Sequence, residues 1–299
     1  MNERELAGDV PELRLAYRPP LASDRLLAFL GARAISGVEL VTAGVYARAM
    51  RTPGGTPIVI GLAPGGEAPF VALRVTGLGG NVPALSGVVQ AARRLFDLDA
   101  DPESIDDVLA ADVALREHVL AAPGTRLPGT TDGFELAVRA IVGQQVSVAG
   151  ARTTLGHIAE RFGEPLPTPV GSIVRLFPTA ERLAEAPRDG FGMPGARAEA
   201  IRAMAGVVAS GELDLSGDAE LEPTLEVLRA IPGVGEWTAA YVAMRALRDP
   251  DAFPTSDLGV RHGFEALGLP GDLHSIRQRA ERWRPWRAYA TMHLWNLAP

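Results

Sequence analysis

Two features of this sequence, a glycine-rich turn and a carboxylate, are the ones best equipped for chemistry. In Leu228-Arg-Ala-Ile231-Pro232-Gly233-Val234-Gly235-Glu-Trp237-Thr-Ala-Ala-Tyr241, a short helical pattern runs into Pro-Gly-Val-Gly and a second helix starts at once. Two glycines around one apolar residue permit a tight turn and leave backbone N–H groups uncovered at a helix N-terminus. Unpaired donors and roughly half a positive charge suit that end to a phosphate oxygen. Binding of that kind touches no base edge and is sequence-independent. The same pattern also makes an ordinary αα-hairpin turn, and the turn alone leaves both readings open. Downstream, in Ala252-Phe-Pro-Thr-Ser-Asp257-Leu-Gly-Val-Arg261, Asp257 sits just before another helical pattern. In isolation it reads as an N-cap worth about 1 kcal/mol. Beside a phosphate-gripping turn, however, a carboxylate would be repelled by bound nucleic acid, so its presence there points to chemistry.

What the chain lacks narrows that chemistry. Its 299 residues include no cysteine, and all 29 Lys+Arg residues are arginine. Thiolate zinc sites, cysteine-held iron–sulfur clusters, cysteine nucleophiles and lysine Schiff bases are therefore excluded. The five histidines, at 118, 157, 262, 274 and 293, have no ligand spacing, so no catalytic metal is expected. The net charge of -7 gives no whole-molecule field for nucleic acid, although a local basic face acts within a Debye length of about 10 Å. The run Arg277, Arg279, Arg282, Arg284 and Arg287 is read as a solvated face. The acidic start has no signal-peptide core and no apolar run approaches the ~20 residues of a membrane span, which makes a cytoplasmic protein the default.

The elements that must position turn and carboxylate divide into two regions. Short β-like runs at 13–17, 38–41, 45–49, 56–60 and 70–75, separated by Gly/Pro clusters and interrupted by one helical stretch at 24–34, predict a small α+β domain over 1–82. From 83 to 299 the spacing predicts an all-helical domain of one or two lobes, with helices at 83–96, 103–120, 132–162, 194–209, 222–230, 236–247, 257–267 and 285–297. The fold class expected is α+β, a small antiparallel-sheet domain followed by a mainly α-helical domain. Gly77-Leu-Gly79-Gly-Asn-Val82 has the context of a dinucleotide fingerprint but lacks its third glycine and any βαβ alternation, and is read as a domain-joining turn.

Ile231-Pro-Gly-Val-Gly-Glu-Trp-Thr-Ala with Asp257 downstream resembles the helix–hairpin–helix DNA glycosylase superfamily, and within it the bacterial 3-methyladenine DNA glycosylase II family. Tyr17-Arg-Pro-Pro, Phe29-Leu-Gly-Ala-Arg-Ala, Leu127-Pro-Gly, Phe134-Glu-Leu-Ala-Val-Arg-Ala-Ile-Val-Gly-Gln-Gln-Val-Ser147 and Glu281-Arg-Trp-Arg-Pro-Trp-Arg287 extend the likeness over nearly the whole chain. The resemblance implies a monofunctional glycosylase that flips out and excises alkylated purines, with Asp257 catalytic. It implies an aromatic base pocket from Trp237, Tyr241, Trp295 and Phe29, for which a helical core stripe is the alternative reading. It further implies DNA contacts from Gly233, Val234, Gly235, Thr238, Gln144 and Gln145. No cofactor is implied beyond a structural monovalent cation on the hairpin carbonyls of Arg229, Ile231 and Val234. The implied partner is double-stranded DNA containing damaged bases, bound by a monomer away from any membrane. Related bifunctional enzymes carry a lysine where this chain has Trp237. Two positions depart from the pattern: Gln145 where a wedge leucine is usual, and Leu258 where an aromatic follows the aspartate. Excision of another lesion (hypoxanthine or an oxidised purine) and a non-catalytic DNA-binding module are the alternatives, and Asp257 argues against the second.

Overall fold

Alternation of side chains across strands builds the N-terminal region of the chain in the computed structural model, which describes residues 11–66 and 68–298. The acidic start lies outside the described residues. The elements run β1 (Leu13–Ala16), α1 (Ser23–Ala32), β2 (Glu39–Thr42), β3 (Val45–Arg51), β4 (Pro57–Pro64) and β5 (Phe70–Thr76). The strands form one antiparallel sheet in the order β1-β5-β4-β3-β2. Period-two alternation sends Tyr46 and Met50 of β3 to one face, where they join Leu26 and Leu30 of α1 in the main core. Ala47 and Ala49 point the other way. The rejected fingerprint is a turn from β5 into the next helix, with Gly77, Gly79 and Gly80 all at positive φ.

The C-terminal region comprises α2 (Leu85–Phe96), α3 (Pro102–Ala110), α4 (Val113–Ala121), α5 (Gly133–Gly143), α6 (Val148–Phe162), β6 (Pro165–Val170), β7 (Ile173–Arg175), α7 (Ala180–Ala184), α8 (Gly195–Ala209), α9 (Leu221–Ala230), α10 (Glu236–Arg245), α11 (Leu258–Ala266), α12 (Leu273–Ala280) and α13 (Arg287–Trp295). It is mainly but not wholly helical. The hairpin β6–β7 corrects the all-helical expectation. Leu166, Val170 and Ile173 cover Ala47, Ala49 and Val59 on the outer face of the sheet. Its proline-rich strand, Pro165-Leu-Pro-Thr-Pro-Val170, hides the signal because proline is tolerated only where a strand is an edge. The continuous helix expected at 132–162 breaks at Gln144–Ser147, where Ser147 Oγ caps α6 by accepting from Gly150 N at 3.1 Å. The 103–120 stretch breaks likewise, because Asp112 caps α4. Helices α7 and α12 were not expected. Three arginines of the run near the C-terminus are paired with carboxylates: Arg279 with Asp112, Arg284 and Arg287 with Asp251 and Glu281.

The sheet is fastened to α5 by a buried ion network. Arg48 of β3 donates to Glu135 Oε2 of α5 at 2.6 Å and to Glu39 Oε1 of β2 at 3.4 Å. Arg139, one turn beyond Glu135, donates to Glu135 Oε1 at 2.9 Å and to Glu39, and its Nη1 donates to the Arg33 carbonyl at 2.9 Å. Burial works to raise the Glu39 carboxyl, but Arg139 and Arg48 outweigh it and hold the group down at about 2. A folded-state value below the ordinary 4.5 means that this stabilisation is complete above about 4.5 and is lost as pH falls toward 2. Arg48→Ala leaves two buried carboxylates sharing Arg139, a loss on the order of 3–5 kcal/mol. The expected outcome in thermal melts at neutral pH is a drop on the order of 10 °C, and the gap to wild type should narrow below pH 4.5. An unchanged melting temperature would contradict the role given to the network.

Candidate active site

The turn between α9 and α10 is built by its glycines. Gly233 has φ +88°, and a Cβ there would meet Ala200 Cβ at 2.7 Å, so both backbone and packing require glycine. Val234 is buried and its N–H donates to Ile231 O at 3.0 Å, which closes the turn. Gly235 is the N-cap of α10 with no side chain to satisfy the first N–H groups, and open space lies where its Cβ would be. This helix end therefore keeps uncovered donors.

The turn is stapled to the α5–α6 break. Gln144 Nε2 donates to Gly233 O and to Thr238 Oγ1, each at 2.9 Å, and Arg197 Nη2 donates to Gln144 O at 2.9 Å. Because Gly233 O can only accept, the orientation of the Gln144 amide is fixed. Thr238 is buried. Gln145, by contrast, is exposed with φ +57°, the conformation that makes it the tip of the loop. The two adjacent glutamines thus do different things: Gln144 holds the turn and Gln145 projects over the cleft.

That cleft has a volume of about 1190 Å³ and is lined by Gln145, Trp237, Tyr241, Asp257, Trp295 and Arg33, among others. Trp237 and Tyr241 are one turn apart on α10 and stack, with ring centroids 5.5 Å apart and planes at 25°. Tyr241 meets Trp295 of α13 at 6.1 Å. Phe29 of α1 is stacked on Trp295 at 6.0 Å and 10°, but it is buried and does not line the cleft. It supports the wall from behind.

Asp257 is where these elements converge. It is the N-cap of α11, its Oδ1 accepting from Val260 N at 2.9 Å. The same oxygen accepts from Trp295 Nε1 at 2.8 Å, and Oδ2 accepts from Trp237 Nε1 at 2.6 Å. Gly259 makes room for this grip, because a Cβ there would meet Trp295 Cδ1 at 2.7 Å. An ionised carboxylate has about four lone-pair sites. Three are occupied, so a position on Oδ2 stays open to whatever occupies the cleft. The N-cap and functional readings of Asp257 are compatible, since different parts of one carboxylate serve each.

Arginines form the back of the cleft, and the sequence reading did not single them out. Arg245 is buried and its donors are committed: Nε to Pro128 O at 2.7 Å, Nη2 to Gly129 O at 3.0 Å and Nη1 to Tyr241 Oη at 2.8 Å. Burial works to raise the Tyr241 hydroxyl, yet Arg245 and Arg33 bring it below its ordinary value. Arg33 lies 3.8 Å over the Phe29 ring. A signal was available: Arg33 follows Phe29, and Arg245 follows Tyr241, by four residues on a helix face or its end. Among the described residues, no group of three His, Cys, Asp or Glu is arranged to hold a metal ion, and no helix is long and apolar enough to cross a membrane.

Comparison with known proteins places this geometry. Residues 12–132 match the AlkA N-terminal domain, and residues 138–288 match the HhH-GPD superfamily base excision DNA repair protein family. The chain is 42% identical over 290 residues to a Mycobacterium tuberculosis protein described as a probable bifunctional transcriptional activator/DNA repair enzyme AlkA; the match takes in 97% of this chain and 57% of that one. The chain therefore spans little more than half the length of that relative. It is 36% identical to the DNA-3-methyladenine glycosylase 2 of Escherichia coli, over 94% of this chain and 95% of the relative. The solved 3-methyladenine DNA-glycosylase from Archaeoglobus fulgidus shares the fold, with a TM-score of 0.82 at 23% identity over 96% of this chain and 97% of that one. A hairpin with an open helix end, a cleft of aromatic rings and a carboxylate between them thus lie in a chain that belongs to the HhH-GPD superfamily of base excision DNA repair proteins.

Proposed function

We propose that this chain is a monofunctional DNA glycosylase that excises alkylated purines, of the 3-methyladenine and 7-methylguanine type, from double-stranded DNA, acting as a monomer in base excision repair. The observation that carries this reading is the Asp257 carboxylate, gripped by two indole N–H groups at the edge of an aromatic cleft and open on Oδ2. The names of the Mycobacterium tuberculosis and Escherichia coli relatives support it.

In this reading the uncovered donors of Gly235 and the first turn of α10 hold a phosphate of the DNA, with Gly233, Val234 and Thr238 shaping the turn. A damaged nucleotide costs less to extrude than a normal one, and the exposed Gln145 fills the stack that it leaves. The base enters the cleft against Trp237, Tyr241 and Trp295, where a cationic ring is attracted to electron-rich faces. The C1′–N bond breaks with its electron pair going to the base, which departs neutral if it was alkylated to a cation. The sugar is left oxocarbenium-like, as in glycoside hydrolysis. Asp257 stabilises that positive charge and orients a water, which adds to C1′ and gives up a proton. A single carboxylate suffices because a cationic base needs no acid to leave.

The hairpin suits a structural monovalent cation in part. Arg229 lies in the last turn of α9, whose carbonyls have no helical partner, and the Ile231 carbonyl spends one lone pair on Val234 N. With Val234 O these oxygens would hold the ion, which would stiffen the turn and take no part in bond cleavage.

Duplexes that each carry one defined lesion test the proposal. Free 3-methyladenine and 7-methylguanine should be released at rates well above those for undamaged purines, and release of neither would overturn the reading. A second outcome concerns strand cleavage. With no lysine in the chain, borohydride trapping on abasic DNA should yield no side-chain adduct; a robust adduct mapped to anything but an α-amino group would contradict the monofunctional assignment.

A further inference from the structure

The cleft reaches from Gly233 and Gly235 at the hairpin to Val148, Arg152 and Leu155 on α6. Base excision as described above draws on the hairpin and the aromatic rings, and the α6 wall has no part in it. That wall combines exposed apolar side chains with an unpaired cation. Of the seven large apolar side chains exposed among the described residues, three, Val146, Val148 and Leu258, line this one cleft. Val146 and Val148 flank the cap Ser147 and are 41% and 43% exposed. Arg152 follows Val148 by one turn of α6 on the same face, and it is exposed. Among the described residues its side chain makes no hydrogen bond and no ion pair.

Charge favours a polyanion as the occupant of this wall. The chain carries a net -7, yet the lining of the cleft holds four arginines against the single carboxylate of Asp257. Arg139 spends its charge on Glu39 and Glu135. Arg245 is buried and bound to two carbonyls and to Tyr241, and Arg33 lies over Phe29. Arg152 alone of the four is exposed. An unpaired cation beside exposed apolar groups matches the two faces of a DNA strand, its phosphates and its sugars.

Chain order indicates which strand. Gln144 is bound to Gly233 O and Thr238 Oγ1 of the hairpin, Gln145 is the loop tip, and Val146, Val148 and Arg152 follow on the α6 side. With the hairpin on the strand that carries the damaged base and Gln145 in the stack, the strand beyond the tip is the complementary one. Resting on the glycosylase reading above, we infer that Val146, Val148 and Arg152 form a lip that receives the undamaged complementary strand. Arg152 holds one of its phosphates, and the valines pack on the sugars beside it. Contacts of this kind carry no base sequence. Because Gln144 ties the hairpin to the same loop, the two strands are held on either side of the extruded nucleotide and cannot shift against each other while the base is out.

Equilibrium binding to a duplex with one tetrahydrofuran abasic analogue tests this, with wild type, Arg152→Met and Val148→Glu. Methionine keeps an apolar stem and removes the charge, while glutamate puts a negative charge on the same face; melting checks that each variant is folded. At 0.1 M salt Arg152→Met should bind roughly 5–10-fold more weakly, and its slope of log K against log[salt] should be shallower by about 0.9, the value of one phosphate. Val148→Glu should also weaken binding. Methylphosphonates placed one at a time along either strand then locate the contact. Neutralising one phosphate of the complementary strand should weaken wild type and leave Arg152→Met unmoved, while sensitivity along the lesion strand persists in both. Unchanged affinity in Arg152→Met or in Val148→Glu would overturn the inference and make the lip a solvated face. Coupling of Arg152 to a phosphate of the lesion strand would overturn it too. A wild-type protein that binds the abasic-analogue duplex no more tightly than undamaged duplex would count against the glycosylase reading instead, so the two failures are distinct.

Discussion

Four buried charges, Glu39, Arg48, Glu135 and Arg139, set the five-stranded sheet against helix α5. None is tolerable in an apolar interior unless all are paired, and pairing fixes β2, β3 and α5 at one relative position. From there the constraint runs outward. Arg139 also holds the Arg33 carbonyl, which settles where α1 ends and brings Phe29 and Arg33 behind Trp295. Trp295 in turn donates to Asp257. The geometry around the carboxylate is therefore set by residues from α1, α5, α10 and α13 together, and no single local motif contains it.

The other end of α5 carries a second coupling. Gln144, the residue that ends this helix, grips Gly233 O and Thr238 Oγ1, while its neighbour Gln145 projects over the cleft. In the proposed function, the residue that fills the DNA stack and the turn that grips the phosphate are held at a fixed separation by one amide. The shape of the cleft and the register of the DNA would then be set by the same helix.

Much of this was legible in the sequence, for identifiable reasons. The five strands announce themselves by alternation and turn residues, and the hairpin by the spacing of Gly233 and Gly235; at Gly233 backbone conformation and close packing require glycine, whereas at Gly235 the open space leaves the helix end uncovered. Asp257 is legible as a cap from its position before a helix. Its indole partners are not, because Trp237 and Trp295 lie far apart in the chain and only the fold brings their N–H groups to one carboxylate. The β6–β7 hairpin stayed hidden behind its prolines, and the break at Gln144–Ser147 behind a stretch whose apolar spacing runs on unbroken. The arginines of the cleft were passed over because each looks like an ordinary surface residue until its helix face is traced.

The central claim is that Asp257 acts through its negative charge, beyond its role as a cap, and Asp257→Asn tests it most directly. Asparagine caps a helix about as well as aspartate and keeps an oxygen for Val260 N and Trp295 Nε1. Its amide NH₂ would face the Trp237 N–H donor to donor, so a stability loss on the order of 1–2 kcal/mol is expected. Removing the charge takes away stabilisation of the sugar cation, a term worth several kcal/mol in such sites. Melting, binding to lesion-bearing duplex and single-turnover base release should be measured on one preparation. The account predicts a folded variant that binds lesion duplex at least as tightly as wild type and releases 3-methyladenine about 10²-fold more slowly or worse. Near-normal release with a lowered melting temperature would contradict it and leave Asp257 as a cap.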